Sequence, residues 1–588
     1  MTSRKSILLV IAILIIGCTV NFSIIENNTQ MNDRKSTSLA ISAANRTVDY
    51  LIITTQDFKS ILKPLAEWKT QKGVISNIEI IGDIEIQYSG GSLPEKIKNC
   101  ILDYRSNNKT QWVLLAGDHN HVPTKYITCN DGYSYDGDVV CCDSYYGDID
   151  NDWTQLNFDY EAEIYIGRLT ANNNFEMTNL VQRILNYEKN PPVGEWMSHA
   201  ILAGAILQFD LDWNHDDAVD YGECDSNRFN HYVNKTLLPD NWTSTFLAQT
   251  QGIKGSDYHT DAELTYSNLK YAINQGCSIG TIFAHGNPLA MSICKWLTDY
   301  DGDMLFDYTA NPFTGGGSMI DVNTWYHLFN SSTTDLIEGD KLGLYYFGSC
   351  SVGTFDYPVD CIAEFFLKNT AIGCVAGSYV VWGEDQWYER EHGGWFVDGL
   401  GYRFFEQLFQ HNQPGKALAL AKADYAFDRI NLSDPKEYPE WGNKTLKQFN
   451  LLGDPEVPIW LSIPKQLNVS INQPYNNNTN EMILNVTANQ KPVPGATVTY
   501  TENNQLIWMG KTNENGTIAV PFPDIELENK VFTISKNGFL PYQVGMPEND
   551  DRRGIPGYNI IGMMLIIINF IGIISIYYKY FLGKRKFN

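Results

Sequence analysis

The chain has 588 residues, of which 43% are hydrophobic and 19% charged. These are the proportions of a folded protein with room for about three to four domains, and they exclude wholesale disorder. A formal net charge of −25 excludes nucleic acid as an expected partner, because neutralising phosphates requires a basic face.

Arg4 and Lys5 precede an apolar run over 7–17, the charge-then-apolar layout of a signal peptide, placed at 1–20. A polar, Asn-rich lead follows at 21–46. Residues 48–54 (VDYLIIT) predict a buried strand, 58–72 carry apolar residues at helical spacing, and 74–81 return as a strand, which together make a βαβ unit. A helix is expected over 93–104, and a buried strand over 112–116 that ends in Gly117-Asp118-His119. The loop over 131–159 is rich in Asp, Gly and Tyr, and it spaces Asp148, Asp150 and Asp152 two apart, as hard-cation loops do. A short strand at 164–169 and a helix at 175–187 complete an N-terminal α/β subdomain, 47–190.

A second α/β subdomain, 191–465, opens with a strand at 200–207. It leads into an acidic loop, 210–225, that holds Glu223 and Asp225. A helix at 264–275 feeds the apolar stretch Gly280 to Phe283, which ends in Ala284-His285-Gly286. Farther on, the buried strand 342–347 runs into the small-residue turn Gly348-Ser349-Cys350-Ser351-Val352-Gly353. Such a turn presents one side chain at the carboxyl edge of a sheet, where open α/β sheets place their chemistry. A thiol becomes a nucleophile when a base or cation adjoins it, and His is the usual partner. The alternatives are a small buried Cys and an ordinary His-Gly turn. Between the two segments, Asp299, Asp301 and Asp303 stand two apart around Gly302, with Asp307 beyond. That pattern suggests a structural Ca²⁺, against the alternative of a solvated acidic turn.

Helices are expected at 361–367, 396–410 and 415–428, and a strand at 372–378; Phe449 to Pro455 closes this unit. From about Leu467 short alternating segments separated by turn clusters predict a β-sandwich of immunoglobulin type, 466–545. A linker, 546–557, leads to a run over 560–581 long and apolar enough to span a bilayer, within a transmembrane segment at 558–581. Lys584, Arg585 and Lys586 in the tail 582–588 place that tail in the cytoplasm and the bulk outside. Sequons from Asn45 to Asn515 fit that outside location, and the odd count of 11 cysteines leaves one over for a nucleophile.

Six segments, in order, carry a family resemblance: Trp112 to His119 with Val122-Pro123, Ile166-Gly167-Arg168, Ala284-His285-Gly286, Ser349 to Phe355, Cys361 to Glu364, and Leu452-Gly453-Asp454-Pro455. From about Val48 to Ser462, and on into the sandwich, the chain resembles the gingipain-type cysteine peptidases, relatives of clostripain and the caspases. The resemblance implies a caspase-like sandwich of helices on a mostly parallel sheet, followed by the immunoglobulin-like domain. It implies hydrolysis of peptide bonds in protein or peptide substrates, with Cys350 as nucleophile and His285 as its base. The backbone N–H groups of Gly286 and Cys350 are the implied oxyanion donors. Two departures stand out. The family's carboxylate behind the His aligns with Ile206, so it is absent or supplied by Asp210 or Asp212. The acidic floor of an Arg-binding pocket aligns most closely with Asp225, beside Glu223; the alternative there is an ordinary acidic surface loop. His119 reads as a turn residue. The expectation is a secreted, membrane-anchored cysteine endopeptidase that cleaves after basic residues, and its competitor is an inactive surface adhesion protein on the same fold.

Overall fold

The computed structural model describes residues 47–129, 139–150, 153, 160–212, 214–307, 321–331, 339–384, 394–431, 439–476, 481–521 and 530–544. The signal-like run, the lead, the linker, the apolar run over 560–581, the basic tail and Asp152 lie outside them. Among the described residues no helix is long and apolar enough to cross a membrane.

An 11-stranded sheet organises the molecule. Its strands in chain order are β1 (Tyr50–Thr54), β2 (Ser76–Ile80), β3 (Trp112–Ala116), β4 (Tyr165–Leu169), β5 (His199–Gly204), β6 (Thr243–Ala248), β7 (Ala262–Glu263), β8 (Ile279–Phe283), β9 (Gly343–Phe347), β10 (Ala371–Gly377) and β11 (Phe449–Gly453). They lie in the order β7-β6-β5-β8-β9-β10-β11-β4-β3-β1-β2. Within β7 to β10 every neighbouring pair is parallel, as are β4–β3, β3–β1 and β1–β2. The strand β11 runs antiparallel to β10 and meets β4 at Leu452 opposite Arg168. The central strands YLIIT, WVLLA, IGTIF, GLYYF and AIGCVAG are buried throughout, as expected when helices cover both faces of a parallel sheet.

The covering helices turn their apolar stripes inward. Gln56–Gln71 buries Phe58, Leu62, Leu65 and Trp68, and Asn174–Lys189 buries Met177, Leu180, Val181 and Ile184. The latter starts where Asn173 caps it by accepting from the Glu176 N–H. The Ile362–Asn369 and Phe396–His411 helices pack beside the Cys350 half of the sheet. This is the expected helix-covered, mostly parallel α/β architecture.

Past Leu467 the chain forms two four-stranded sheets. One contains Asn468–Asn476, Glu481–Ala488, Lys491–Pro492 and Thr517–Pro521; the other contains Thr497–Glu502, Gln505–Lys511, Lys530–Ser535 and Tyr542–Val544. They enclose a separate apolar core that includes Val486, Val498, Tyr500, Trp508, Val520 and Ile534. This unit is tied to the α/β body where Ser535 Oγ donates to Lys72 O at 2.9 Å and Thr499 Oγ donates to Gln71 O.

Candidate active site

Strands β8 and β9 are neighbours in parallel register, with Ile282 opposite Phe347. Continuing that register by three residues sets His285 opposite Cys350. The pairing holds past the strand ends, where Gly348 N donates to Ile282 O at 3.0 Å and Ala284 N to Ser349 Oγ at 3.1 Å. Gly286 is seated so closely that a Cβ on it would lie 2.6 Å from Cys350 O and 3.1 Å from Ser349 Cβ. A residue without a side chain is therefore required for the two segments to meet.

The turn at Cys350 is held from both sides. Ser351 adopts the left-handed region at φ 58°, and its N–H donates to Tyr379 O at 2.9 Å. Non-glycine residues in that region cost energy and concentrate at functional turns. Cys350 is half-buried, with Sγ 3.4 Å from Val381 O; the other nine described cysteines are buried. Burial pushes the thiols of Cys100, Cys142 and Cys277 up to about 12, which makes them inert at neutral pH.

His285 begins the short strand His285–Asn287, the first of a three-stranded antiparallel sheet completed by Ala290–Thr298 and Val322–Asn330. In it His285 lies opposite Ser292, and Ser292 opposite His327. The indole of Trp325 stands edge-on to the His285 ring, 4.8 Å between centroids at 73°. Desolvation lowers the His285 pKa to about 4, so the imidazole rests neutral. Neither proposed substitute carboxylate acts on it, since desolvation is the sole cause of the shift. Asp210 accepts from Glu223 N at 2.8 Å, and Asp212 accepts from the backbones of Asn214, His215 and Asp217. Ile206, where the family's carboxylate aligns, is fully buried.

The acidic loop reaches the same edge. Cys224–Asp225 pairs with Ile206–Gln208 just beyond β5. A Cβ on Gly383 would lie 2.8 Å from Cys224 Sγ, two residues after the Val381 carbonyl that touches Cys350. Asp225 is buried and already occupied: Oδ1 accepts from Asn227 N and Nδ2, and Oδ2 from Ser256 Oγ at 2.6 Å. Glu223 differs. Burial raises its carboxyl to about 7, with Lys254 opposing and Asp225 and Asp210 adding to the rise. Its Oε2 has no hydrogen-bond partner among the described residues and lies 3.7 Å from Lys254 Nζ. His119 joins this edge as well, with Nδ1 2.8 Å from Asp118 Oδ1 and 3.1 Å from Phe355 O.

Two of the cation motifs gather ligand atoms. Asp299, Asp301 and Asp303 bring carboxylate oxygens within 4.8 Å of one another, as do Asp148 and Asp150 together with Glu163, which sequence reasoning did not include. Asp307 stands apart on the two-residue strand Phe306–Asp307, paired with Leu211–Asp212. Sequence reasoning also missed Trp325 and the hairpin that carries it. The alternation in VNTWYHLFN was the available signal, and it was diluted by the acidic run before it.

Cys350 and His285 follow adjoining strands of a helix-covered, mostly parallel sheet, and the architecture is that of a caspase-like α/β protein. The profile of peptidase family C25 matches residues 43–460, and the chain belongs to that family. It is 20% identical over 511 residues to Gingipain R1 of Porphyromonas gingivalis, an alignment covering 84% of this chain and 43% of that protein. It is 22% identical over 537 residues to Lys-gingipain W83 of the same organism, covering 86% and 26%. The chain thus spans less than half the length of these relatives. Among solved structures, the Arg-specific cysteine proteinase gingipain R matches with a TM-score of 0.58 at 14% identity, over 86% of this chain and 98% of that one. The complex of Porphyromonas gingivalis RgpB pro- and mature domains matches at 0.57 and 15%, over 84% and 98%. At these identities the structural likeness concerns the fold.

Proposed function

We propose that the protein is a secreted, membrane-anchored cysteine endopeptidase in which Cys350 and His285 form the catalytic dyad. The observation that carries this reading is the seating of His285-Gly286 against the Cys350 turn, which brings a neutral imidazole and the one unburied thiol among the described cysteines to neighbouring strand ends. The low pKa of His285 favours a resting pair of thiol and neutral imidazole over a preformed ion pair. Sγ attacks the scissile carbonyl as its proton passes to the ring, and the imidazolium then protonates the leaving amine. The N–H groups of Gly286 and Cys350 are the oxyanion donors in this scheme. Water completes the cycle by hydrolysing the acyl-enzyme, with His285 again as base.

Glu223 is the better candidate of the acidic pair to receive a basic P1 side chain, because its buried Oε2 accepts no hydrogen bond among the described residues and has only Lys254 Nζ at 3.7 Å, while both Asp225 oxygens are engaged. Asp225 then braces the loop from beneath. The two sheets past Leu467 are read as an immunoglobulin-like spacer between the catalytic body and a membrane reached through the apolar run over 560–581. The decisive experiment incubates the purified chain with a peptide library rich in Arg and Lys, beside the Cys350→Ala variant. Turnover lost in the variant supports the reading, and equal turnover in both overturns it. The adhesion reading gains from one observation, that no carboxylate contributes to the shift of the His285 ring. It predicts that an iodoacetamide-type probe labels Cys350 no faster than a free thiol.

A further inference from the structure

We propose that Trp325 and His327, on the outer strand of the His285 hairpin, form the subsite for the residue on the leaving side of the scissile bond and select a large apolar or aromatic side chain there. The inference rests on the proposed Cys350–His285 peptidase and deepens it, by assigning the half of the substrate that the acidic loop does not address.

The two faces of the main sheet separate the two halves of the cleft. Successive residues of β9 point to opposite faces. Tyr346 packs on Phe229, Phe404 and Phe405, from the helices Asn227–Tyr232 and Phe396–His411. Tyr345 and Phe347 pack on Phe366, from the helix Ile362–Asn369. The loop with Glu223 and Asp225 runs directly into Asn227–Tyr232 and so belongs to the first face. The hairpin belongs to the second. Phe329, near the end of its outer strand, stands edge-on to Phe366 at 5.3 Å and to Tyr266 at 5.8 Å, and Ile362 N donates to Pro288 O in the hairpin turn at 2.9 Å. His285 and Cys350 follow strands that lie between these two faces. A peptide whose P1 side chain enters the acidic loop therefore leaves the dyad over the hairpin.

The chemistry of the dyad points the same way. The imidazolium protonates the leaving amine, so the groups beside the ring are nearest the residue that carries that amine. Within the hairpin His285, Ser292 and His327 stand in one row across three strands, and so on one face; Trp325, two residues from His327, shares it. The indole stands 4.8 Å from the His285 ring and is still 47% exposed. Ser292 Oγ and His327 Nδ1 are 2.9 Å apart, which fixes the second imidazole beside the indole. Tyr326 is exposed as well, but it points to the other face, where Lys295 Nζ lies 5.0 Å from its ring centroid. An exposed indole adjoining a catalytic base is a surface for a substrate side chain to cover, and an aromatic or long aliphatic one gains most by covering it.

The test measures kcat/KM for peptides with Arg or Lys at P1 and Gly, Ala, Leu, Phe or Trp on the leaving side. Leu, Phe and Trp should exceed Gly by about tenfold in the parent chain. Trp325→Ala should remove the preference, Trp325→Phe should keep most of it, and Tyr326→Ala should leave it unchanged. Because the ratio compares substrates on one enzyme, a general loss of turnover or folding in a variant cancels. A second measurement adds phenylalanine amide or glycine amide to the acyl-enzyme. The amine attacks the carbonyl carbon held on Cys350 Sγ, a C–N bond forms as the C–S bond breaks, and the amine proton passes through His285 to Sγ. Phenylalanine amide should capture the acyl group about tenfold better than glycine amide in the parent, and no better in Trp325→Ala. Equal rates for all leaving-side residues in a parent that cleaves through Cys350 overturn this inference alone, as does a preference that survives Trp325→Ala. Absence of any Cys350-dependent cleavage overturns it together with the dyad.

Discussion

The two edges of the main sheet treat buried charge in opposite ways. At one edge, Lys69 is wholly buried and sits 2.7 Å from Glu188, 2.6 Å from Asp454 and 2.7 Å from Glu456; Lys72 adds 2.5 Å and 2.6 Å contacts to Glu188 and Glu456. Tyr50 Oη donates to Asp454 at 2.8 Å, which completes a network built from β1, two helices and the residues just past β11. Among the described residues the other edge holds His285 with no carboxylate acting on it, Glu223 Oε2 without a hydrogen bond and Asp307 facing Asp212. The first edge pairs its buried charges and serves stability. The second holds polar groups that find no such pairing among the described residues, as expected where a substrate supplies it.

Mutations at the two edges should therefore separate turnover from stability. The largest effect belongs to Cys350→Ala. Turnover should fall by about 10³-fold or more with the melting temperature nearly unchanged, measured by peptide hydrolysis beside thermal unfolding. Lys69→Met should do the reverse. It leaves buried Asp454 without a cation and Glu188 and Glu456 with Lys72 alone, and should cost about 3–5 kcal/mol in urea unfolding, while kcat per folded molecule stays within about twofold. Loss of kcat without loss of stability in Lys69→Met breaks the division between edges. The same network sets a pH dependence. Burial alone would raise the Glu188 pKa, but Lys69 and Lys72 outweigh it and hold the carboxyl at about 2, below its ordinary 4.5. A depressed carboxylate stabilises the fold above its unfolded pKa. This contribution should be intact above about pH 4.5 and fade as pH falls toward 2, and Lys69→Met should flatten the unfolding free energy across that window.

Much of the edge proposed as catalytic could be read from the chain, because its elements are local. Apolar strands ending in small-residue turns announced β8 and β9, and the residues at their ends, His285 and Cys350, came with them. The charge network at the opposite edge was not legible. Lys69, Glu188 and Asp454 are far apart in sequence, and each reads as an ordinary surface residue of a helix or turn until tertiary packing buries it. The strand β11 was hidden for a related reason: Phe449 to Gly453 is short and bounded by Gln448 and Asp454, so only its place between β10 and β4 reveals it. The Asp212–Asp307 pairing was likewise invisible, since register between two-residue strands leaves no periodic trace.

Within the catalytic edge, Glu223 and Asp225 can be told apart. Glu223→Gln should lower kcat/KM for Arg and Lys substrates by about tenfold, the scale of one charge-assisted hydrogen bond, and leave a neutral P1 substrate unaffected. Asp225→Asn should instead affect basic and neutral substrates alike, through the loop it braces via Asn227 and Ser256. The opposite pattern would move the specificity floor from Glu223 to Asp225.

The smallest effect tests what holds the His285 ring, on which no carboxylate acts among the described residues. A triad carboxylate orients its histidine by a hydrogen bond and raises its pKa; the edge-on indole of Trp325 orients by contact and excludes water, which lowers it. Trp325→Ala should cost about tenfold or less in kcat, the scale of one aromatic contact. It should also move the acid limb of the kcat/KM profile up from about 4 toward the ordinary histidine value of 6.5, because the exposed ring holds its proton to higher pH. Trp325→Phe keeps an apolar edge against the ring and should restore the low limb. A limb that stays near 4 in Trp325→Ala assigns the desolvation to the strands around His285, and Trp325 would then be a wall of the cleft with no hold on the imidazole.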